Sequence, residues 1–177
     1  MSQYQQQLEA ELSRLEQSAK TTAPRSGLVI FVAKVPSGAS ALLDRVVSLL
    51  RLVDKAILTS LPTEEEWRKL LPDWFVTACA PALTEEEAER WLVWWKSLPE
   101  PHRHTVEQEQ RWSLNNWLYW MEPANRQWYW WDARVAIADT EIVVEIQVES
   151  WPFPYGSLRW LFTAAGAASF EQHHKLS

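Results

Sequence analysis

In the C-terminal half of the chain, hydrophobic and polar residues alternate as they do in a half-buried strand. In "EIVVEIQV" the aliphatic residues take every second position: Ile142, Val144, Ile146 and Val148. The preceding stretch "WYWWDARV" is aromatic at its start and alternates from Asp132 onward. The two stretches, joined by a short turn at "ADT", predict an antiparallel hairpin.

The register of this hairpin follows if the aliphatic residues of both strands face the core. We then expect Ile137, Val135, Ala133 and Trp131 to lie opposite Ile142, Val144, Ile146 and Val148, in that order. The outer face would form an aromatic/acidic strip, with Trp128, Trp130, Asp132 and Arg134 on one strand facing Trp151, Glu149, Gln147 and Glu145 on the other. An alternative is that the N-terminal helix or "WPFPYG" covers these rings and makes the sheet a two-sided core.

Residues 1–22 predict an N-terminal helix with an apolar seam, Leu8, Leu12, Leu15 and Ala19. Two heptads are too short for a stable coiled coil alone, so the helix is expected to dock on its own domain or on a second copy of the chain. A homodimer through this helix therefore stays open. "KTTAPRSG" is typical of a linker, and residues 23–177 are expected to form a single α+β domain.

Residues 28–60 predict a buried strand, "LVIFVAK", and a helix from about 41 to 53. "KAILTSL" fits a second strand, which would complete a β-α-β unit, but the short loops leave this open. The loop "KVPSGAS" lies where a phosphate-binding loop would, but it lacks the Gly-Lys-Ser/Thr ending. A helix cap by Ser37 or Ser40 explains the loop equally well.

A threonine followed three residues later by Glu or Gln predicts helix starts at Thr63, Thr84 and Thr105. Pro72 should kink or split the first helix. Two apolar faces at helical spacing are expected to be core: Trp91, Trp94 and Trp95 in the second helix, and Leu114, Trp117, Leu118 and Met121 in the third. A last helix should end at Gly166, and the tail "SFEQHHKLS" is expected to fray. These elements predict an α+β fold in which a small antiparallel sheet, centred on the C-terminal hairpin, is packed by several Trp-rich helices.

Composition and charge narrow the functions that fit. The 177 residues include 13 tryptophans, all between Trp67 and Trp160, and the net charge is −6. No block of Lys or Arg could neutralise successive phosphates, which argues against nucleic acid or an anionic membrane as partner. Cys79 is the one cysteine, so no intrachain disulfide can form. With no basic and apolar leader at the start of the sequence, a soluble, cytoplasmic protein is expected.

One constellation on the strip points to catalysis. Asp132, Glu145 and Gln147 loosely resemble the Asp…Glu-x-Lys pattern of restriction-endonuclease-like nucleases. That resemblance implies a hairpin presenting two carboxylates to a divalent metal, although Gln147 stands where the family has lysine. The alternative is a solvent-facing strip in which Arg134 pairs with Glu145 across the strands.

The strip also suggests binding without catalysis. Its predicted binding residues are Trp128, Trp130, Asp132, Arg134, Glu145, Glu149 and Trp151. Because Trp and Arg are frequent in protein–protein hot spots, the favoured hypothesis is a non-catalytic interaction protein, such as an adaptor, inhibitor or neutralising partner, that needs no cofactor. The metal-dependent nuclease and a small-molecule binding module that uses the Trp cluster remain as alternatives.

Overall fold

The computed structural model describes residues 2–17 and 27–173. Within these ranges the chain forms eight α-helices and a four-stranded antiparallel sheet, which confirms the predicted α+β class. The elements are α1 (Gln3–Glu16), β1 (Leu28–Lys34), α2 (Ala39–Thr59), α3 (Glu64–Leu70), α4 (Asp73–Ala78), α5 (Glu85–Ser97), α6 (Glu100–Glu109), α7 (Leu114–Met121), β2 (Trp128–Val135), β3 (Glu141–Val148), α8 (Gly156–Ala165) and β4 (Ser169–Gln172).

The sheet has the order β2-β3-β1-β4, so the predicted hairpin forms one side of it. One face of the sheet packs against α2 and α8, and α4 and α7 pack on α8 in turn. The core face of β1 carries Phe31 and Ala33, both fully buried, because alternate side chains of a strand point to the same face. Helix α1 packs on α2 and along β2, so it docks on its own fold. Ala19 and the linker residues 20–26 lie outside the described residues.

Helix α2 is longer than the sequence suggested. It continues to Thr59 through "KAILT", so the second strand and the β-α-β unit are not formed there. The apolar spacing explains this, since Leu50, Val53 and Ile57 continue the helical period at intervals of three and four.

The start of α2 is capped from a distance. Gly38 is the N-cap residue and no serine side chain caps the helix. Instead, the Ser40 amide and hydroxyl both donate to Asp139 Oδ1 of the hairpin turn, at 2.8 and 2.7 Å. These hydrogen bonds lower the pKa of Asp139. Its carboxylate lies at the start of α2, where a phosphate-binding loop would hold a phosphate.

The capping boxes at Thr63 and Thr84 are confirmed, each with both reciprocal hydrogen bonds. Pro72 separates α3 from α4, as expected. The third predicted start is wrong, because Thr105 lies inside α6, which begins directly after Pro99. Pro101 lies in the first turn of α6, where proline is well suited because its missing N–H would have no partner within the helix.

The C-terminal segment contributes to the core. Gly166 ends α8 in the left-handed region (φ 117°), as predicted. The expectation of a frayed tail is wrong for Ser169–Gln172, which pairs with β1 as the short strand β4. Phe170 explains the difference: its ring stacks on Phe31 and Phe162, with centroids 4.9 and 4.7 Å away. Residues 174–177 lie outside the described residues.

Candidate functional site

The orientation of strand β3 matches the prediction. Ile142, Val144, Ile146 and Val148 are buried, and the residues between them are half-exposed. Glu145 and Gln147 therefore lie on the outer face of the sheet. This half of the aromatic/acidic strip is placed where the sequence predicted it.

The orientation of β2 differs from the prediction in its first half. Val135 pairs with Ile142 and Ala133 with Val144, two positions away from the predicted register but with the same faces. A β-bulge at Trp131 then shifts the pairing, so Trp130 lies opposite Ile146 and Trp128 opposite Val148. Because a bulge adds one residue to one strand, it reverses which side chains face the core.

Trp128 and Trp130 are therefore core residues, and their predicted place on the outer strip is wrong. They are 1% and 3% exposed. The indole N–H of Trp128 donates to Ser157 Oγ at 2.9 Å, and the Trp130 ring lies parallel to Phe162 with centroids 6.3 Å apart. Both rings are used in packing the sheet against α8.

The other two rings of the row lie against arginines. The Arg14 guanidinium lies 4.5 Å from the centroid of the Trp131 ring, and Arg126 lies 5.0 Å from that of Tyr129. Such cation–π contacts stabilise a guanidinium that is largely removed from water. Burial raises the pKa of Tyr129 to about 12, so its hydroxyl stays protonated at neutral pH.

Arg126 is the centre of a fully buried charge cluster, which we call the Arg126 triad. Its guanidinium donates to Glu11 Oε1 of α1 at 2.6 Å, to Asp54 Oδ1 of α2 at 3.1 Å and to the Trp128 carbonyl at 3.0 Å. All three charged side chains are 0% exposed. Two carboxylates therefore contact one fully buried guanidinium, and the half-buried Arg14 guanidinium lies close enough to interact with both of them.

The protonation state of the triad follows from burial. Desolvation, and next the nearby Glu11 carboxylate, raise the pKa of Asp54 well above its ordinary value. Glu11 Oε2 and Asp54 Oδ2 are buried without a hydrogen-bond partner in the structure. The raised pKa favours the protonated form of Asp54, which can donate a hydrogen bond toward Glu11.

The same cluster covers the edge strand β2. Glu11 Oε1 also accepts from the Trp130 amide, and Arg14 Nε donates to the Trp130 carbonyl at 2.9 Å. Exposed N–H and C=O groups of an edge strand are ready to pair with another chain. Side chains of α1 therefore form hydrogen bonds with both the amide and the carbonyl of Trp130, the residue next to the bulge.

The acidic residues of the strip come together differently from the prediction. Asp132 lies directly opposite Glu145, while Arg134 lies opposite Val143. The predicted pairing of Arg134 with Glu145 is therefore wrong, and no ion pair joins these two described residues. Gln147 lies opposite Tyr129 on the same outer face. No group of three or more His, Cys, Asp or Glu side chains suited to a metal ion occurs in the part of the chain that the structure describes.

The remaining strip residues lie beyond the end of the hairpin. Glu149 is exposed and accepts from Gln7 Nε2 of α1 at 2.8 Å. Trp151 is 54% exposed, and its ring packs edge-on against Phe153. Of the three tryptophans assigned to binding, only Trp151 is accessible.

The largest departure from the sequence expectations is at α5 and α6, which we call the helical arm (85–109). Neither helix has a buried residue, although the Trp91, Trp94 and Trp95 face was expected to be core. Large apolar side chains are exposed at three consecutive positions of α5 and just before it, and we call this set the apolar arm face: Leu83, Leu92, Val93 and Trp94. By contrast, the predicted core face of α7 is confirmed.

The arm is anchored at its base and at its tip. At the base, Arg111 donates to the carbonyls of Ala78 and Cys79 at 3.0 and 3.1 Å, and the Ala80 amide donates to the Trp112 carbonyl at 2.8 Å. At the tip, Arg103 donates to the Leu98 carbonyl at 2.8 Å and lies over the Trp95 ring. The first set of contacts joins the segments on either side of the arm, and the second joins α6 to the end of α5.

Comparisons with known proteins give no assignment: no family model, no curated protein and no solved structure matches the chain. No helix among the described residues is long and apolar enough to cross a membrane.

Proposed function

We propose that this chain is a non-catalytic protein-interaction module that binds a partner through the apolar arm face. The observation that carries the proposal is the exposure of that face on a helix that is well formed. Val93 is 71% exposed and Trp94 is 48% exposed. Exposed large apolar residues concentrated in one short segment are typical of an interaction surface, and tryptophan is among the residue types enriched in hot spots.

The charge of the arm indicates what kind of partner it fits. Residues 84–109 contain seven acidic and three basic side chains, and the glutamates Glu85, Glu86 and Glu87 lie in the first turn of α5, next to the apolar face. An apolar groove with a basic rim would match both features, because complementary charges speed association and exclude wrong partners. Two acidic arms would repel each other, which disfavours a second copy of the chain as the occupant.

The test is a comparison of three purified proteins: wild type, Val93→Glu and the control Thr105→Glu. The control adds the same charge to the arm at an exposed position outside the apolar face. Both variants should unfold at the wild-type urea concentration, since surface substitutions change stability by about 0.5 kcal/mol or less. In affinity capture from the native host, a basic protein should be retained by wild type and Thr105→Glu, be lost with Val93→Glu, and be weakened by 0.5 M salt.

Two results would contradict the proposal. One is that every captured protein is retained equally by Val93→Glu. The other is that wild type sediments as a dimer and Val93→Glu as a monomer, which would make the arm face a self-interface.

A further inference from the structure

A cleft of about 930 Å³ lies where the helical arm meets the body of the protein. The arm contributes Trp91, His104 and Glu107 to its wall. Trp112 and Tyr155 lie on the other side. Its size is that of ligand-binding clefts in general. The residues that form it are distinct from the apolar arm face, apart from Leu83.

The cleft is built from aromatic rings held in fixed positions. Trp91, Trp112, Trp120 and Tyr155 are all partly exposed within it. The Trp112 ring lies on Gly156, where a Cβ atom would come within 2.6 Å of the indole. Only glycine allows this ring to lie so close to the start of α8. Partly exposed rings that are locked in place provide apolar contact area at little entropic cost.

The polar groups of the cleft favour a ligand rich in acceptors. Asn115, Asn116 and Gln110 present side-chain amides, and none of these amides is used in a hydrogen bond with another described residue. Arg159 adds further donors, with its guanidinium 5.0 Å from the Tyr155 ring centroid. Each amide can donate two hydrogen bonds and a guanidinium five.

The cleft carries charges of both signs: it is lined by Glu107, Arg111 and Arg159, and Arg111 already donates to the backbone carbonyls at the end of α4. A strongly charged ligand of either sign would therefore meet a side chain of the same sign. The matching ligand is uncharged and extended, with carbonyl acceptors and few N–H donors of its own.

We infer that the cleft binds a proline-rich segment in the polyproline II conformation. Proline has a carbonyl acceptor but no backbone N–H, so such a segment matches an amide-lined cleft without leaving donors unsatisfied. Its rings pack on aromatic side chains, and its preformed conformation reduces the entropy lost on binding, as in other aromatic grooves that recognise proline-rich chains.

The test uses fluorescein-labelled decaproline and a matched peptide in which every second proline is alanine. Fluorescence anisotropy should show saturable binding of decaproline and at least tenfold weaker binding of the alanine-substituted peptide. Asn116→Ala and Trp91→Ala should each weaken decaproline binding at least fivefold. Val93→Ala is the control on the same helix, because Val93 is 71% exposed and lies outside the cleft, and it should bind decaproline like wild type.

Three results would overturn the inference: no saturation by decaproline at millimolar concentration, equal affinity for the two peptides, or unchanged binding by Asn116→Ala and Trp91→Ala together. The outcome is independent of the arm-face proposal. That proposal is tested by Val93→Glu, which leaves the cleft residues unchanged.

Discussion

The Arg126 triad allows a stability prediction that separates charge from hydrogen bonding. Glu11 Oε1 accepts two buried hydrogen bonds, from the Arg126 guanidinium and from the Trp130 amide. Glu11→Ala removes this acceptor, so the Trp130 amide is left without a partner and the guanidinium keeps only Asp54 and the Trp128 carbonyl. Removing one partner of a buried ion pair costs about 3–5 kcal/mol, and we expect a loss in that range.

Glu11→Gln should cost much less. The glutamine carbonyl can accept the same two hydrogen bonds, so the Trp130 amide stays satisfied. The guanidinium loses a charged partner, but Asp54 can then ionise in its place, because the repulsion from Glu11 that raises its pKa is gone. A neutral acceptor in place of a charged one lowers the hydrogen-bond contribution by about 1–2 kcal/mol. That range is our prediction for Glu11→Gln.

The assay is urea unfolding followed by circular dichroism, with Glu9→Ala as the matched control. Glu9 is exposed on the same helix and should change stability by about 0.5 kcal/mol or less. Hydrogen exchange adds a local readout, since the Trp130 amide should lose protection in Glu11→Ala and keep it in Glu11→Gln. A loss below about 1 kcal/mol for Glu11→Ala, or equal losses for the two substitutions, would refute the assignment.

Three further predictions test other parts of the structure. The free energy of unfolding of Asp54→Asn, relative to that of wild type, should increase as pH rises. The raised pKa of Asp54 means that its stabilising contribution to wild type is complete below about pH 4 and is lost as pH rises through the folded-state pKa. Unfolding measured at several pH values checks this trend. Trp117→Ala should cost about 3–5 kcal/mol, because Trp117 is fully buried and hydrogen-bonded, whereas Trp94→Ala should cost less than about 1 kcal/mol; thermal unfolding compares the two. Asp132→Asn should stabilise the protein by a few tenths of a kcal/mol at low salt, because Asp132 lies opposite Glu145; a rise in melting temperature with magnesium in wild type alone would instead favour the metal-site hypothesis.

The orientation of β3 could be predicted from sequence while that of β2 could not, and the reason is physical. In β3 the polar residues Glu145 and Gln147 mark which side chains face outward. From Trp128 to Trp131 every side chain is aromatic, so no polar residue indicates which of them point outward. A bulge reverses the orientation of the side chains on one side of it, and the hydrophobic pattern of the sequence does not reveal it. Arg14, which lies against the Trp131 ring, comes from α1, far away in the sequence, and so leaves no local signal.

Helix α5 illustrates a second limit of sequence patterns. The spacing of Trp91, Trp94 and Trp95 correctly indicated a helix with one apolar face, and the Thr84 capping box correctly located its start. Periodicity states that a face is apolar, but it does not state which surface covers it. The same pattern in α7 is buried by this chain, whereas in α5 Trp91 and Trp95 are only half-buried and Trp94 is exposed.

The sheet edges argue that any partner binds through side chains rather than by adding a strand. At the β2 edge, the backbone groups of Trp130 are already bonded to Glu11 and Arg14 of α1. At the other edge, β4 has only four residues, and short edge strands are a poor template for pairing. Strand addition needs an accessible run of unpaired backbone groups. The contacts of α1 with Trp130 interrupt such a run at the β2 edge. The apolar and aromatic side chains of the arm and its cleft, on which both proposals rest, offer side-chain contacts of this kind.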